Sequence, residues 1–523
     1  MTEPREAPGP IRAAPVSDEA TGVLAVEQSL RVQSAFVTLS RTLRTLFAIA
    51  VPIVMVRVLD PSTFGYYKQI GLLCTTAAGA LALGIPTSLY YFVPRSPDSS
   101  QRLLVRSFVL LGSIGLCAGI GVALAAPWLD RAFSAPFSEY RIVVAALVAL
   151  SIPDAMSEAV AVVDRRVRLA ALATGLVEAL RSLLVVSAAL WTRNLTVVLV
   201  AVTAGLGLRI LVLLAYLAWR RTHTSSTVAP ARSSEQLGYA FPFHAAAMIG
   251  MARDQLHAYF VATRYAASQY AVYAVGITPL PLLDRITQSV AEVVVVDSSR
   301  NFAIGRLDEV RRVWWRGSHA IALAVIPAFA ICEVFATDIL GLLYGDTYRA
   351  SAPVMRIYLF VLLFSIPLSS VLLRASASPR AMIVADLASL VGSISSLALF
   401  VLATPLGPEG AVASMVIGLA VFHGVAGATV ARRVGVTWRT FLPWRNLAGL
   451  ALLCGSGAGI AGLLTLPLPG WLRALAGPLL AAALIGAMLW RSSLLPEPER
   501  ALVRRGIERA IERVRRRGTE KRP

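Results

Sequence analysis

Charge is scarce in this 523-residue chain, and acid is scarcer than base: 15% of residues are charged, with 30 Asp and Glu against 49 Lys and Arg. Soluble proteins carry a larger charged share, whereas here 56% of residues are hydrophobic and the mean hydropathy is +0.68, far beyond what a soluble core needs. The four cysteines, Cys74, Cys117, Cys332 and Cys454, fall inside apolar runs with no metal-ligand spacing. That excludes a zinc cluster and reads them as small core hydrophobes. No GxxxxGK[ST] loop occurs, so ATP hydrolysis within the chain is not expected. Residues 1–34 hold several prolines and no apolar h-region, and are expected to be disordered, with no cleaved signal peptide.

What is abundant is the long apolar run. Fourteen, each near the ~20 residues a helix needs to cross a bilayer, follow one another from Ala35 to Trp490. They predict an all-α polytopic membrane protein of about fourteen transmembrane helices. The net charge of +19 would suggest nucleic acid in a soluble protein, but its distribution points elsewhere. With the N-terminus inside, 34 of the 49 basic residues fall in cytoplasmic segments and nine on the opposite side. Both termini are therefore expected in the cytoplasm, and no nucleic-acid partner is expected. In the tail, 491–523, Val503, Ile507, Ala510, Ile511 and Val514 recur at helical spacing with arginines on the remaining face. It is expected to lie on the inner leaflet as a basic amphipathic helix, either binding lipid head groups or acting only as a positive stop.

The longest polar break of the first half, residues 220–237, divides the chain after the sixth run. The expected organisation is a six-helix bundle over 35–219, a second over 238–432, two additional helices over 433–490 with no assigned role, and the tail. Ser62-Thr-Phe-Gly-Tyr-Tyr67 and Ser268-Gln-Tyr-Ala-Val-Tyr273 resemble each other at a spacing of 206 residues, as parallel repeats around a central cavity would.

Three longer segments carry a resemblance. Arg57-Val-Leu-Asp-Pro-Ser-Thr-Phe-Gly-Tyr-Tyr67, Leu83-Gly-Ile-Pro-Thr-Ser-Leu-Tyr-Tyr-Phe92 and Ile339-Leu-Gly-Leu-Leu-Tyr-Gly-Asp-Thr-Tyr348 before Ser351 resemble landmarks of polysaccharide-biosynthesis membrane proteins. These are the Wzx-type lipid-linked oligosaccharide flippases of the multidrug/oligosaccharidyl-lipid/polysaccharide exporter superfamily. The resemblance spans the first twelve runs. It implies two bundles around a V-shaped cavity, alternating access, and transfer of an undecaprenyl-pyrophosphate-linked glycan from the cytoplasmic to the periplasmic leaflet of a bacterial inner membrane. A polysaccharide polymerase and other membrane proteins of the pathway are the partners it implies, besides membrane lipids.

The charges inside the runs can be read without it. Arg41, Arg44, Arg181, Arg209, Arg253 and Arg285 face Asp154, Glu158, Glu178, Asp254, Asp284, Glu292, Glu333 and Asp386. At ~2.5 to 3 kcal/mol for each charge turned to lipid, they must face one another or water. Arg41 and Arg44 in the first run and Arg253 in the seventh put positive charge on both halves of a cavity. A guanidinium fork suits the adjacent anionic oxygens of a pyrophosphate. Arg285 joins them as a candidate, although Asp284 with Arg285, like Glu178 with Arg181, also reads as a local pair. Asp154 and Glu158, one turn apart in the fourth run, could share a proton or hold a sodium ion, and Asp254 is a further coupling candidate. A polar face at the cytoplasmic end explains the same two carboxylates. Pro279 with Pro281 marks the expected hinge. No cofactor and no catalysis are expected. The alternatives are a drug or cation exporter of the same superfamily and a membrane-embedded glycan polymerase or glycosyltransferase, for which the short outer loops leave little room.

Overall fold

The computed structural model describes residues 47, 49–494 and 500, apart from 96–98, 164–166, 224–231, 279–280, 377, 404–405 and 438. Among the described residues there is no strand. The chain runs back and forth through α1 (Ile49–Val58), α2 (Pro61–Leu81), α3 (Ile85–Arg95), α4 (Ser100–Ala132), α5 (Arg141–Asp154), α6 (Met156–Val163), α7 (Val167–Thr192) and α8 (Leu195–His223). It continues through α9 (Ser233–Arg264), α10 (Ala267–Gly276), α11 (Pro281–Ala303), α12 (Leu307–Tyr344), α13 (Ala352–Leu363), α14 (Ser369–Ala375), α15 (Pro379–Ala403), α16 (Pro408–Val434), α17 (Trp444–Leu464) and α18 (Gly470–Arg491). Ten stretches among the described residues are long and apolar enough to cross a membrane. The remaining expected runs correspond to the short α1, the more polar α9, and the broken pairs α10–α11 and α13–α14.

The breaks have local causes. Between α2 and α3, Leu83 and Gly84 both adopt left-handed backbone, φ 50° and 69°, and a Cβ at Gly84 would also lie 3.0 Å from the Ala240 carbonyl oxygen. Pro153 cannot donate to the Ala149 carbonyl, and the helix stops one residue later at Asp154 before restarting at Met156. Gly115 and Gly119 of α4 fit against this freed backbone: a Cβ at Gly115 would stand 2.4 Å from the Ala149 oxygen, the close approach that small residues allow between membrane helices. The α10 helix ends at Gly276 and α11 opens on Pro281, the site of the expected hinge, although Pro279 itself lies outside the described residues. Between α13 and α14, Pro367 precedes Leu368 at φ 52°, and the Pro367 carbonyl accepts the buried Trp314 indole N–H at 2.8 Å. At membrane depth such irregular backbone is tolerated only inside protein or along a cavity.

In the first half α4 packs on α5 and α7 on α8; in the second α11 packs on α12 and α15 on α16, while α17 and α18 dock on α12. Glycines seat this last pair: a Cβ at Gly477 would meet the Phe335 ring at 2.2 Å and one at Gly462 would meet Val334 at 2.8 Å. Arg473 also faces the mostly buried Asp338 at 3.5 Å. The helix alternation places Trp128, Trp191 and Trp471 at one end and Trp219, Trp444 and Trp490 at the other, all exposed, as rings at two membrane–water boundaries would be. Cys454 is buried, but Cys117 is exposed on α4 and is not the core hydrophobe expected. The face of α4 that packs on α5 is the glycine face, and Cys117, two residues from either glycine, points away from it.

The end that carries 57–67 and 339–351 is here the motif end, and the end that carries 220–237 the linker end. The halves touch at both. At the motif end α2 meets α10 so closely that a Cβ on Gly65 would lie 2.0 Å from the Ala267 carbonyl oxygen. Arg57 donates there to the carbonyls of Leu343, at 2.9 Å, and Leu342, and Gln69 donates to that of Ala262 at 3.2 Å. At the linker end α9 lies along α3. The buried Gln236 amide donates to Ser88 Oγ at 2.9 Å and Ser107 Oγ at 3.0 Å, and Tyr239 stacks on Tyr91 with ring centroids 4.3 Å apart.

Candidate functional site

Between the halves lies a cavity of about 1110 Å³, walled by α1, α2, α5, α7 and α8 on one side and α9, α10, α12 and α13 on the other. Most of its wall is apolar. Its charged groups are Lys68, Arg181 and Arg209 against Asp154. With a rise of 1.5 Å per residue, Lys68 sits about 10 Å inside the motif end, and Asp154, Arg181 and Arg209 about 15 to 20 Å inside it. The cations thus form a ladder from mid-membrane toward the motif end.

Each is held by its own helix geometry. Asp154 is the last residue of α5, where the Pro153 break turns it toward α8. There Arg209 Nε meets Asp154 Oδ1 at 3.1 Å, and Ser157 Oγ donates to the same oxygen at 3.3 Å. Arg181 of α7 reaches back one turn to Glu178, its Nε donating to Oε2 at 3.2 Å. The stem of Arg181 lies across Gly205 of α8, where a Cβ would stand 2.2 Å from its Cγ, so a bare glycine sets the path of this side chain. Lys68 of α2 lies over the Phe64 ring at 5.5 Å from its centroid. Among the described residues no ion pair includes Lys68, and its amino group lines the cavity without a carboxylate partner.

The candidates chosen from sequence are distributed differently. Arg41 and Arg44 lie outside the described residues. Arg253 is not in the cavity wall: its Nε meets Asp254 Oδ1 at 2.8 Å, its NH1 meets Asp386 Oδ1 at 3.2 Å, and its guanidinium lies over Phe422 at 5.2 Å. It ties α9 to α15 and α16. Arg285 is exposed on α11. Of the coupling pair, Asp154 stands in the cavity, whereas Glu158 lies beyond the helix break, exposed on α6. The uninterrupted turn expected between them is broken by the Pro153 kink. Asp254 is half-exposed beside Arg253, and Asp386 closes the same cluster.

Lys68 escapes a reading by apolar runs because the uninterrupted apolar stretch begins after it, at Ile70. The helix starts at Pro61, with Asp60 as N-cap accepting the Thr63 N–H at 2.9 Å. An Asp-Pro step is the signal that would have placed Lys68 two turns inside the helix. Arg181 and Arg209 were visible as intramembrane charges, but neither was chosen for the site.

Broken helices around a charged cavity between two packed halves define a class, the multi-pass α-helical transporters. The fold matches the lipid II flippase MurJ in its inward closed conformation with a TM-score of 0.65 at 13% identity, over 87% of this chain and 97% of that one. It matches an inward-facing multidrug resistance MATE family transporter of the MOP superfamily with a TM-score of 0.59 at 16% identity, over 75% and 94% of the two chains. No match was found among curated proteins. The family model described as polysaccharide biosynthesis protein matches residues 54–353, and the chain belongs to that family.

Proposed function

We propose that this protein is a flippase that moves a polyprenyl-pyrophosphate-linked oligosaccharide from the cytoplasmic to the periplasmic leaflet of a bacterial inner membrane. The observation that carries this reading is the cation ladder of Lys68, Arg181 and Arg209 against one cavity carboxylate. Two guanidiniums and an ammonium match the adjacent anionic oxygens of a pyrophosphate. Asp154 satisfies Arg209, and an incoming diphosphate would compete for it. The family supplies the polysaccharide context, and the similar fold of a lipid II flippase fits a lipid-linked cargo. In this reading the bundles over 35–219 and 238–432 rock against each other. The Gly65–Ala267 contact then parts when the cavity opens at the motif end, and the Gln236 and Tyr239 contacts when it opens at the linker end. The basic asymmetry of the sequence puts the linker end and both termini in the cytoplasm.

A drug or cation exporter is the second reading, favoured by the MATE-like fold, but Lys68, Arg181 and Arg209 against Asp154 and Glu178 leave a net positive charge that disfavours a cationic cargo.

The test is flipping of a polyprenyl-pyrophosphate-linked glycan in vesicles containing the purified protein. Losing one charge-assisted hydrogen bond is worth ~1.5 to 3 kcal/mol, about ten- to a hundredfold in affinity. Lys68→Ala and Arg209→Ala should weaken substrate binding by that order, and Arg209→Lys should recover only part of it. Full flipping by both alanine variants would remove the cavity cations from the mechanism.

A further inference from the structure

The second half contains a separate, smaller cavity of about 310 Å³ at the break between α13 and α14. Its polar wall is Asp284, Thr287 and Gln288 of α11, Ser365 of the break, Ser370 and Arg374 of α14 and His423 of α16. It runs from mid-membrane, where His423 stacks on Phe364 with centroids 5.5 Å apart, toward the linker end, where α14 finishes with Arg374. Two of its groups stand out. Asp284 is a carboxylate at membrane depth that enters no ion pair among the described residues, unlike Asp154 and Asp386. The Nδ1 atom of His423 is buried with no hydrogen-bond partner.

We propose that this second-half cavity is a proton-binding site, with Asp284 and His423 as the groups that take up the proton. This rests on the transport reading, because a buried proton site matters only if its occupancy differs between cavity states. A carboxylate without an ion-pair partner at membrane depth pays a desolvation cost when ionised that a proton removes, and the partnerless imidazole nitrogen of His423 in the wall of the same cavity offers a second place for a proton. The titratable and charged groups around them are Arg285 adjacent on α11, Arg374 on α14, the neutral phenol of Tyr358 on α13, and the Arg253, Asp254 and Asp386 cluster that reaches His423 across Phe422. The α12 wall contributes only the uncharged Ile321. A metal cation is a poor fit: the wall offers one carboxylate, hard cations gather several oxygens, and Arg374 already places a positive charge there. The first-half acids are less suited to the task, since Asp154 is held by Arg209. A ligand that binds two states equally shifts neither, so coupling requires that motion of α14 against α11 change the exposure of Asp284. The α13–α14 break is where the backbone allows it.

The site can be tested without substrate, on the full-length protein in lipid nanodiscs, by infrared difference spectra between pH values. The protonated-carboxyl stretch that appears on acidification should be lost in Asp284→Asn, retained in Asp154→Asn, and shifted in its midpoint by His423→Gln. Asp284→Glu should restore the band, which separates proton binding from loss of fold. Persistence of the band in Asp284→Asn, or a midpoint indifferent to His423→Gln, would overturn the proposal. In flipping vesicles with an imposed pH gradient, Asp284→Asn should keep substrate binding and lose the gradient dependence; retained gradient dependence would also overturn it. Absence of flipping by the parent protein would instead count against the transport reading, while the infrared result still decides the site.

Discussion

The two halves handle their intramembrane charges in opposite ways. In the first half the pairs face a large cavity: Arg209 with Asp154 and Arg181 with Glu178 keep a quarter or so of each arginine exposed. In the second half Arg253 is pressed between α9, α15 and α16 with Asp386, at 11% and 12% exposure. A guanidinium that keeps access to water can exchange one carboxylate for another anion, whereas one sealed between three helices contributes mainly to their docking. The same residue types therefore stay open to a cavity in one half and are sealed as a fastening in the other.

That contrast can be broken most sharply at Arg253. Removing one partner of a buried pair leaves an uncompensated charge and costs about 3 to 5 kcal/mol, whereas replacing both with apolar residues is often close to neutral. Arg253→Leu should therefore lower stability strongly in denaturant unfolding of the purified protein, and Arg253→Leu with Asp386→Leu should recover most of it. If the single variant unfolds like the parent, the fastening role is wrong.

A smaller effect is expected at the interface between the halves. Gly65→Ala would drive a methyl group against the Ala267 backbone, which cannot swing aside as a side chain can, and overpacking of this kind costs about 1 to 3 kcal/mol. The melting temperature should fall, and crosslinking between cysteines placed on α2 and α10 at the motif end should weaken. An unchanged melt with full crosslinking would show that the two helices separate freely.

The smallest effect on stability, yet one that sharpens the comparison, belongs to Gly205→Ala. Its new methyl would meet the stem of Arg181, 2.2 Å away, and this flexible side chain can shift. Stability should change by less than about 1 kcal/mol, while binding of the pyrophosphate-linked substrate should weaken, because Arg181 is displaced from the cavity wall. Unaltered binding would show that the position of Arg181 is not set by Gly205.

Much of the architecture was legible beforehand. The apolar runs announced a polytopic helical protein, and Gly84, Pro86, Pro153 and Pro281 stand at or beside three of the four breaks. The fourth was announced by Pro367, which disfavours helix in the residue before it, but it lies inside a run apolar enough to read as one span. The site was less legible. Arg253 and Arg209 are both single arginines in the middle of apolar helices, and nothing local separates them. What separates them is the face each helix turns toward its neighbours, and the drift of helical phase after a kink such as that at Pro153 makes this face hard to read from spacing.

The sequence by itself determined the solvent: runs of about twenty apolar residues can satisfy their backbone in lipid only as helices. It also determined where helices must stop, because proline and left-handed glycine act through their own backbone. Only the tertiary structure decided which charges meet. An ion pair between Arg209 and Asp154 joins residues 55 positions apart, and one between Arg253 and Asp386 joins residues 133 apart. Such pairs depend on how whole helices pack, and packing is settled by shape, as where Gly115 admits the backbone of α5 and Gly205 admits the stem of Arg181, more than by any pattern along the chain.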